Sequence, residues 1–147
     1  PWADRDRIIS ATNTAQLHNY IDALPRGYET MVGERGVSLS GGQRQRIAIA
    51  RALLMKPSII VFDDSTAAID AATEQRILSS LRQQSSDSVV IIISHRLSSL
   101  MHSDEILFVD NGTIIERGNH ESLLATGGRY AALYELQSNP VDESLLS

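Results

Sequence analysis

The chain contains no cysteine. That single absence removes disulfides, thiol catalysis and cysteine-based metal sites together, and it is compatible with a reducing compartment. No apolar run approaches the ~20 residues a membrane-spanning helix requires. The first residues, Pro1-Trp2-Ala3-Asp4-Arg5, lack the apolar stretch of a signal peptide. Positive charge is also short. The net charge is -5 and the pI about 5.3, the wrong sign for nonspecific nucleic-acid binding. Lysine is scarcest of all: the 13 basic residues are twelve Arg and one Lys, Lys56, followed by Pro57. A phosphate-binding loop of the G-x-x-x-x-G-K-[ST] type needs Lys followed by Ser or Thr, so these residues contain none. What is present is ordinary for a globular chain: 147 residues, 42% hydrophobic and 21% charged. A chain of this length fits one domain with room for a small appended lobe and buries roughly 70% of its unfolded surface.

The N-terminal stretch reads as short helices. Thr14 is placed to cap a helix in which Leu17, Tyr20, Ile21 and Leu24 fall at i, i+3, i+4 and i+7, ended by Pro25. Residues 28–42 carry Gly33, Gly36, Gly41 and Gly42 without periodicity and read as a loop. A helix follows from about Gln43 to Lys56, with Ile47, Ala50 and Leu54 on one face and Pro57 as its stop. Ser58–Phe62 is a short β-branched apolar run closed by Asp63-Asp64, the pattern of a parallel strand buried on both faces. A helix from about Ala71 to Gln84 turns Ile77, Leu78 and Leu81 inward, and Val89–Ile93 repeats the buried-strand pattern before Ser94-His95. Strand, helix, strand is a βαβ unit. Asp110-Asn111-Gly112 between two β runs predicts a hairpin over residues 105–117. Two short helices separated by Gly127-Gly128 follow, then a tail over residues 138–147 with no visible partner.

Chemistry-bearing residues gather at two places. Parallel strands put their carboxyl ends on one sheet edge, where ligands of open α/β sheets bind. That edge would carry Asp63, Asp64 and His95. Strand-end acids are commonly turn formers, so on residue types alone the functional and structural readings stand even. The second place is Leu39-Ser40-Gly41-Gly42-Gln43, just before a helix. Ser40 can cap it, the glycines allow close backbone approach, and the helix start offers free N–H groups to a phosphate. Taken by themselves, these residues are better read as a plain capped helix after a flexible turn.

The longer strings decide between these readings. Val37 through Leu54 (VSLSGGQRQRIAIARALL) resembles, without gaps, the signature segment of ATP-binding cassette (ABC) transporter ATPases. Ile59-Ile60-Val61-Phe62-Asp63 is similar to that family's Walker B strand, Ala67-Ala68-Ile69-Asp70 to its D-loop, and His95 falls at its switch histidine. Met31–Gly36 resembles the loop by which exporter ATPase domains touch the coupling helices of the membrane domain. The resemblance covers nearly the whole chain. It implies an α/β fold: part of a P-loop-type ABC ATPase core, part of the α-helical subdomain, and a C-terminal β-hairpin. The implied divisions are a helical portion over 1–56, a core portion over 57–137 and a flexible tail over 138–147. The family's adenine-stacking aromatic, Walker A loop and Q-loop have no counterpart here.

The resemblance further implies ATP and Mg²⁺ as cofactors, at sites formed between two ATPase domains facing head to tail. Leu39, Ser40, Gly41, Gly42 and Gln43 would meet the γ-phosphate of ATP held on the partner domain. Asp63 would help hold Mg²⁺, His95 would sense the γ-phosphate, and Asp70 would bridge the two domains. One departure matters. The family has Glu after the Walker B Asp, and this chain has Asp64, one methylene shorter; Ser65 and Ala67 also depart from the pattern. An intact signature beside a degenerate Walker B implies one half of a heterodimeric exporter, on the cytoplasmic face of the membrane, coupled through the Glu34 loop. Such a fragment should not hydrolyse ATP alone. A non-catalytic module that docks a partner domain is the competing reading. A DNA-repair or chromosome-organising relative is disfavoured by the Val32–Gly36 loop, and an Arg44, Arg46 and Arg51 nucleic-acid patch by the net charge.

Overall fold

A computed structural model describes residues 3–33, 36–64, 66, 68–84 and 88–139. The chain divides into two compact units between Ile93 and Ser94.

The first unit begins with α1 (Arg5–Thr14), whose N-cap Asp4 accepts the Arg7 amide at 2.8 Å. Thr14 closes this helix rather than starting the next, because its Oγ1 donates to the Ser10 carbonyl one turn back, at 3.1 Å. Gln16, at φ 55°, then breaks the chain direction. The expected periodicity from Leu17 to Leu24 yields only the short α2 (His18–Asp22), preceded by Leu17, which is buried. After a single 3-10 turn at Gly27–Glu29, residues 30–33 and 36–40 stay irregular, as expected, with one isolated bridge between Val32 and Val37. Gly36 is required there: a Cβ would collide with the Met31 carbonyl. Glu34, and with it the expected membrane-domain contact, lies outside the described residues, as do Ser65, Ala67 and residues 140–147.

Helix α3 (Gly41–Leu54) starts two residues earlier than the periodicity predicts, because Ser40 caps it. Lys56, at φ 47°, reverses the chain into β1 (Ile59–Asp63). Helix α4 (Ala71–Gln84) then leads to β2 (Val89–Ile93). The two strands pair in parallel, from Ile59 against Val89 to Asp63 against Ile93. Ala11, Ala15, Ile49, Ala50, Ile69, Ile77, Leu78 and Leu81 pack with Ile60 and Phe62 into one core. Helices therefore cover one face of the sheet. The expectation that both strand faces are buried is corrected: Ile59 and Val61 are 60% and 55% exposed, and Val89, Ile91 and Ile93 are open too. Among the first unit's described residues nothing supplies the second layer.

The second unit opens with a 3-10 turn at Leu97–Ser99. Strands β3 (Ile106–Asp110) and β4 (Thr113–Gly118) form the expected antiparallel hairpin, with an irregularity at Phe108/Val109. Asn111 and Gly112 sit at φ 46° and 75°, the left-handed pair that matches strand twist. Helix α5 (His120–Thr126) is capped by Asn119 and stopped by Gly127 at φ 66°. The Glu116 carboxylate accepts the Arg129 and Tyr130 amides at the start of α6 (Arg129–Ser138). Leu97, Ile106, Leu123 and Tyr130 form this unit's own core.

Candidate functional site

The start of α3 is built by a reciprocal pair of bonds. Ser40 is extended (φ -67°, ψ 165°), and its Oγ accepts the Gln43 amide at 3.2 Å. Gln43 Oε1 in turn accepts the Ser40 amide at 2.7 Å. This capping box consumes one oxygen of each side chain. The Ser40 hydroxyl proton and the Gln43 side-chain NH₂ remain as donors by inventory. The Gly41 and Gly42 amides have no partner inside the helix, as first-turn amides do not. No acidic residue stands in this first turn, so the positive end of the helix dipole is uncompensated. Arg44 turns back onto the Leu39 carbonyl at 2.6 Å, and Arg46 ties the helix to the Gln16 carbonyl at 2.6 Å. Arg44 and Arg46 are thus committed to holding backbone.

The glycines serve a second purpose. A Cβ on Gly42 would stand 2.8 Å from the Ala68 carbonyl oxygen, and one on Gly41 would stand 3.4 Å from the Ala68 Cβ. The loop that follows β1 therefore lies against the first turn of α3. Gln45 Oε1 accepts the Ala68 amide at 3.1 Å. Elsewhere the loop is fastened to α4. Thr66 Oγ1 donates to the buried Glu74 carboxylate, and the Ile69 amide returns to the Thr66 carbonyl at 2.9 Å. Asp70 Oδ1 accepts the Thr73 amide at 2.9 Å. That bond holds the Asp70 carboxyl below its ordinary value, helped by the Thr73 hydroxyl and the Arg76 charge.

Asp63 ends β1 and is exposed. Asp64 takes a left-handed conformation (φ 45°) that Asp tolerates better than most residues, and its amide donates to the Ile93 carbonyl at 3.1 Å. The first unit thus brings the start of α3 against Ala68, while Asp63 and Asp64 stand at the end of β1. His95 belongs to the second unit. Its carbonyl accepts from Gln137 Nε2 at 2.8 Å, while Gln137 Oε1 accepts the Leu97 amide at 3.0 Å. Among the described residues no group of three or more His, Asp or Glu side chains forms a protein-only metal cage.

Gln45, Thr66, Glu74 and Gln137 are absent from the sequence-based site. A signal existed for Gln45: it lies four and three residues after Gly41 and Gly42, on the same helix face.

A model of the ABC transporter family matches residues 3–67. The chain is 50% identical over 141 residues to the uncharacterized ABC transporter ATP-binding protein YknU of Bacillus subtilis (strain 168), covering 96% of this chain and 24% of that protein. It is 47% identical over 135 residues to the ATP-dependent lipid A-core flippase of Shewanella sp. (strain MR-4), covering 92% and 22%. A solved bacterial Atm1-family ABC exporter with ATP bound superposes with a TM-score of 0.84 at 45% identity, over 93% of this chain and 24% of that one. The chain belongs to the ABC transporter ATPase family. Its fold is a partial ABC ATPase fold of exporter type. This ABC ATPase segment spans about a quarter of the length of the relatives it matches, 24% and 22% of the two named.

Proposed function

We propose that this segment serves, within a complete ABC exporter of the multidrug or lipid-exporting kind, as the signature-bearing part of a nucleotide-binding domain. In that reading ATP is held on the Walker A loop of a second ATPase domain. Ser40, Gly41, Gly42 and Gln43 donate hydrogen bonds to its γ-phosphate, and Leu39 sets the approach. Asp63 contributes a carboxylate to Mg²⁺ through water, Asp64 orients the attacking water, His95 senses the γ-phosphate and Asp70 lies at the domain–domain seam. The Glu34 loop meets the coupling helices at the cytoplasmic face of the membrane.

The observation that carries this reading is the first turn of α3. Its unspent groups are all donors, two amides, a hydroxyl and a side-chain NH₂, at a helix end without an acid. That set suits a phosphate and repels nothing anionic. An exposed strand-end carboxylate such as Asp63 also suits Mg²⁺, which keeps several waters and takes one or two protein carboxylates with substrate oxygens. When bound, Mg²⁺ would neutralise phosphate charge.

Asp64 sets the rate. Its carboxylate falls about 1.5 Å short of a glutamate's, and misplacement by ~1 Å can cost about a hundredfold. The site rooted at Asp64 is therefore the weak one of a heterodimeric pair, and this subunit's intact signature serves the partner's competent site. In this reading the 147-residue chain by itself should not hydrolyse ATP, because the phosphates are held by a Walker A loop it does not carry. The test is steady-state ATPase of the purified complete subunit, alone and with its partner, for wild type and Asp64→Glu. Slow turnover alone, raised at least tenfold by Asp64→Glu, is the expected result. Fast hydrolysis by the wild-type homodimer, or no gain from Asp64→Glu, overturns it.

A further inference from the structure

We propose that Gln45 is a positioning residue: it latches the 66–70 loop onto the first turn of α3, so that the helix start and the Asp64 root are held in one register. Three observations, all at Ala68, place the loop there. The Gln45 Oε1 accepts the Ala68 amide at 3.1 Å. Gly42 leaves only the space that the Ala68 carbonyl fills, and Gly41 leaves room for the Ala68 Cβ. Two further bonds, Thr66 to Glu74 and Asp70 to Thr73, run to α4. Gln45 thus ties α3 to Ala68 by a side-chain hydrogen bond across 23 residues of sequence.

The chemistry of the latch is one-sided. The Ala68 amide can only donate, so the latch needs an acceptor at position 45 and makes no use of the glutamine NH₂. Glutamate retains the acceptor; methionine keeps the length and loses it. The capping box of Ser40 and Gln43 does not involve Gln45, so the phosphate-facing donors stay in place when the latch opens. The hold at Ala68, by contrast, is lost, while Thr66 stays bonded to Glu74 and Asp70 to Thr73. An open latch therefore leaves nucleotide binding intact and blurs the position of the Asp64 root. This functional consequence rests on the reading given under Proposed function; the latch itself does not.

Two measurements separate them. The first is amide hydrogen exchange at Ala68 in the 147-residue chain, for wild type, Gln45→Met and Gln45→Glu. A lost hydrogen bond of ordinary net strength corresponds to roughly fivefold faster exchange in Gln45→Met, with Gln45→Glu back near wild type. Unchanged exchange in Gln45→Met, or equal acceleration in both variants, overturns the latch. The second is steady-state ATPase of the complete subunit purified alone and carrying Asp64→Glu, so that turnover comes from the site rooted at position 64, with the same variants at Gln45. Gln45→Met should lower kcat about fivefold and leave KM for ATP within about twofold, and Gln45→Glu should restore kcat. A kcat unaffected by Gln45→Met, or a KM that rises in step with any loss, overturns the positioning role. A wild-type exporter that hydrolyses no ATP with its partner overturns the functional reading, and the exchange measurement then decides the latch by itself.

Discussion

Asp70 shows how a residue carries two assignments. Its likeness to the D-loop points outward, to a second domain, while the structure gives it a local task as the acceptor that begins α4. A carboxylate that accepts an amide is favoured in its charged form, so the Asp70 carboxyl titrates below its ordinary value of 3.8. Its stabilising contribution is therefore present above 3.8 and lost as pH falls below it, through the lowered folded-state value. A carbon NMR titration of the Asp70 carboxyl should give a midpoint under 3.8, and Asp70→Asn should keep the start of α4 formed while removing that titration. A midpoint at or above 3.8 would show that the cap bond is absent in solution. Gly42 belongs to the same scale. A Cβ placed 2.8 Å from the Ala68 oxygen forces α3 and the loop apart, so Gly42→Ala should speed exchange at Ala68 even with Gln45 intact. At this scale the sequence was half legible. Asp63, Asp64 and Ser40 stand where strand ends and helix starts put them. Glu74 escaped because its contact joins segments that no periodicity relates, and the spacing that sets Gln45 beside Gly41 and Gly42 does not name its partner Ala68.

Elements were far more legible. The bounds of α4 and β2 and the hairpin turn match expectation, because each rests on a strong local signal: a 3.6 period, a β-branched run, Asn-Gly. Ile77, Leu78 and Leu81 are indeed the buried face of α4. Ile77 is fully buried among α1, α3 and β1 residues, so Ile77→Ala should cost the first unit about 2–5 kcal/mol in denaturant titration. A cost below ~1 kcal/mol would mean that the core collapses into the gap. In the hairpin, Gly112 at φ 75° has open space around it but an unfavourable dihedral for any other residue. Gly112→Ala should therefore cost the second unit about 1–2 kcal/mol through backbone strain alone. Thr14 failed as a cap for a tertiary reason. Once α1 forms from Asp4, the nearest acceptor for its hydroxyl is the preceding turn, and the apolar period beyond it is left to a helix too short to use it.

For the molecule as a whole, the informative mismatch is the sheet. A continuous apolar strand announces burial on both faces, yet it cannot say which chain segment does the burying. Here β1 and β2 alternate between core and solvent because helices of this chain cover only one side. Parallel sheets are rarely stable with an open face, and two strands alone are marginal. Ile59, Val61, Val89, Ile91 and Ile93 thus form an exposed apolar surface on strands whose outer edges are unpaired among the described residues. Unpaired parallel edges with apolar faces recruit other strands. The isolated chain should therefore associate with itself in a concentration-dependent way, read by light scattering, and Val61→Lys with Ile91→Lys should shift it toward monomer. Neither side chain belongs to the buried core, so the double variant should unfold at the same denaturant midpoint. A wild-type chain that stays monomeric as concentration rises would mean that the open face is tolerated in water. Loss of stability in the double variant would mean that the face is covered by packing in solution. The same substitutions in the complete exporter should instead be severely destabilising if, as the 24% coverage of the Atm1-family exporter suggests, segments beyond this chain bury that face.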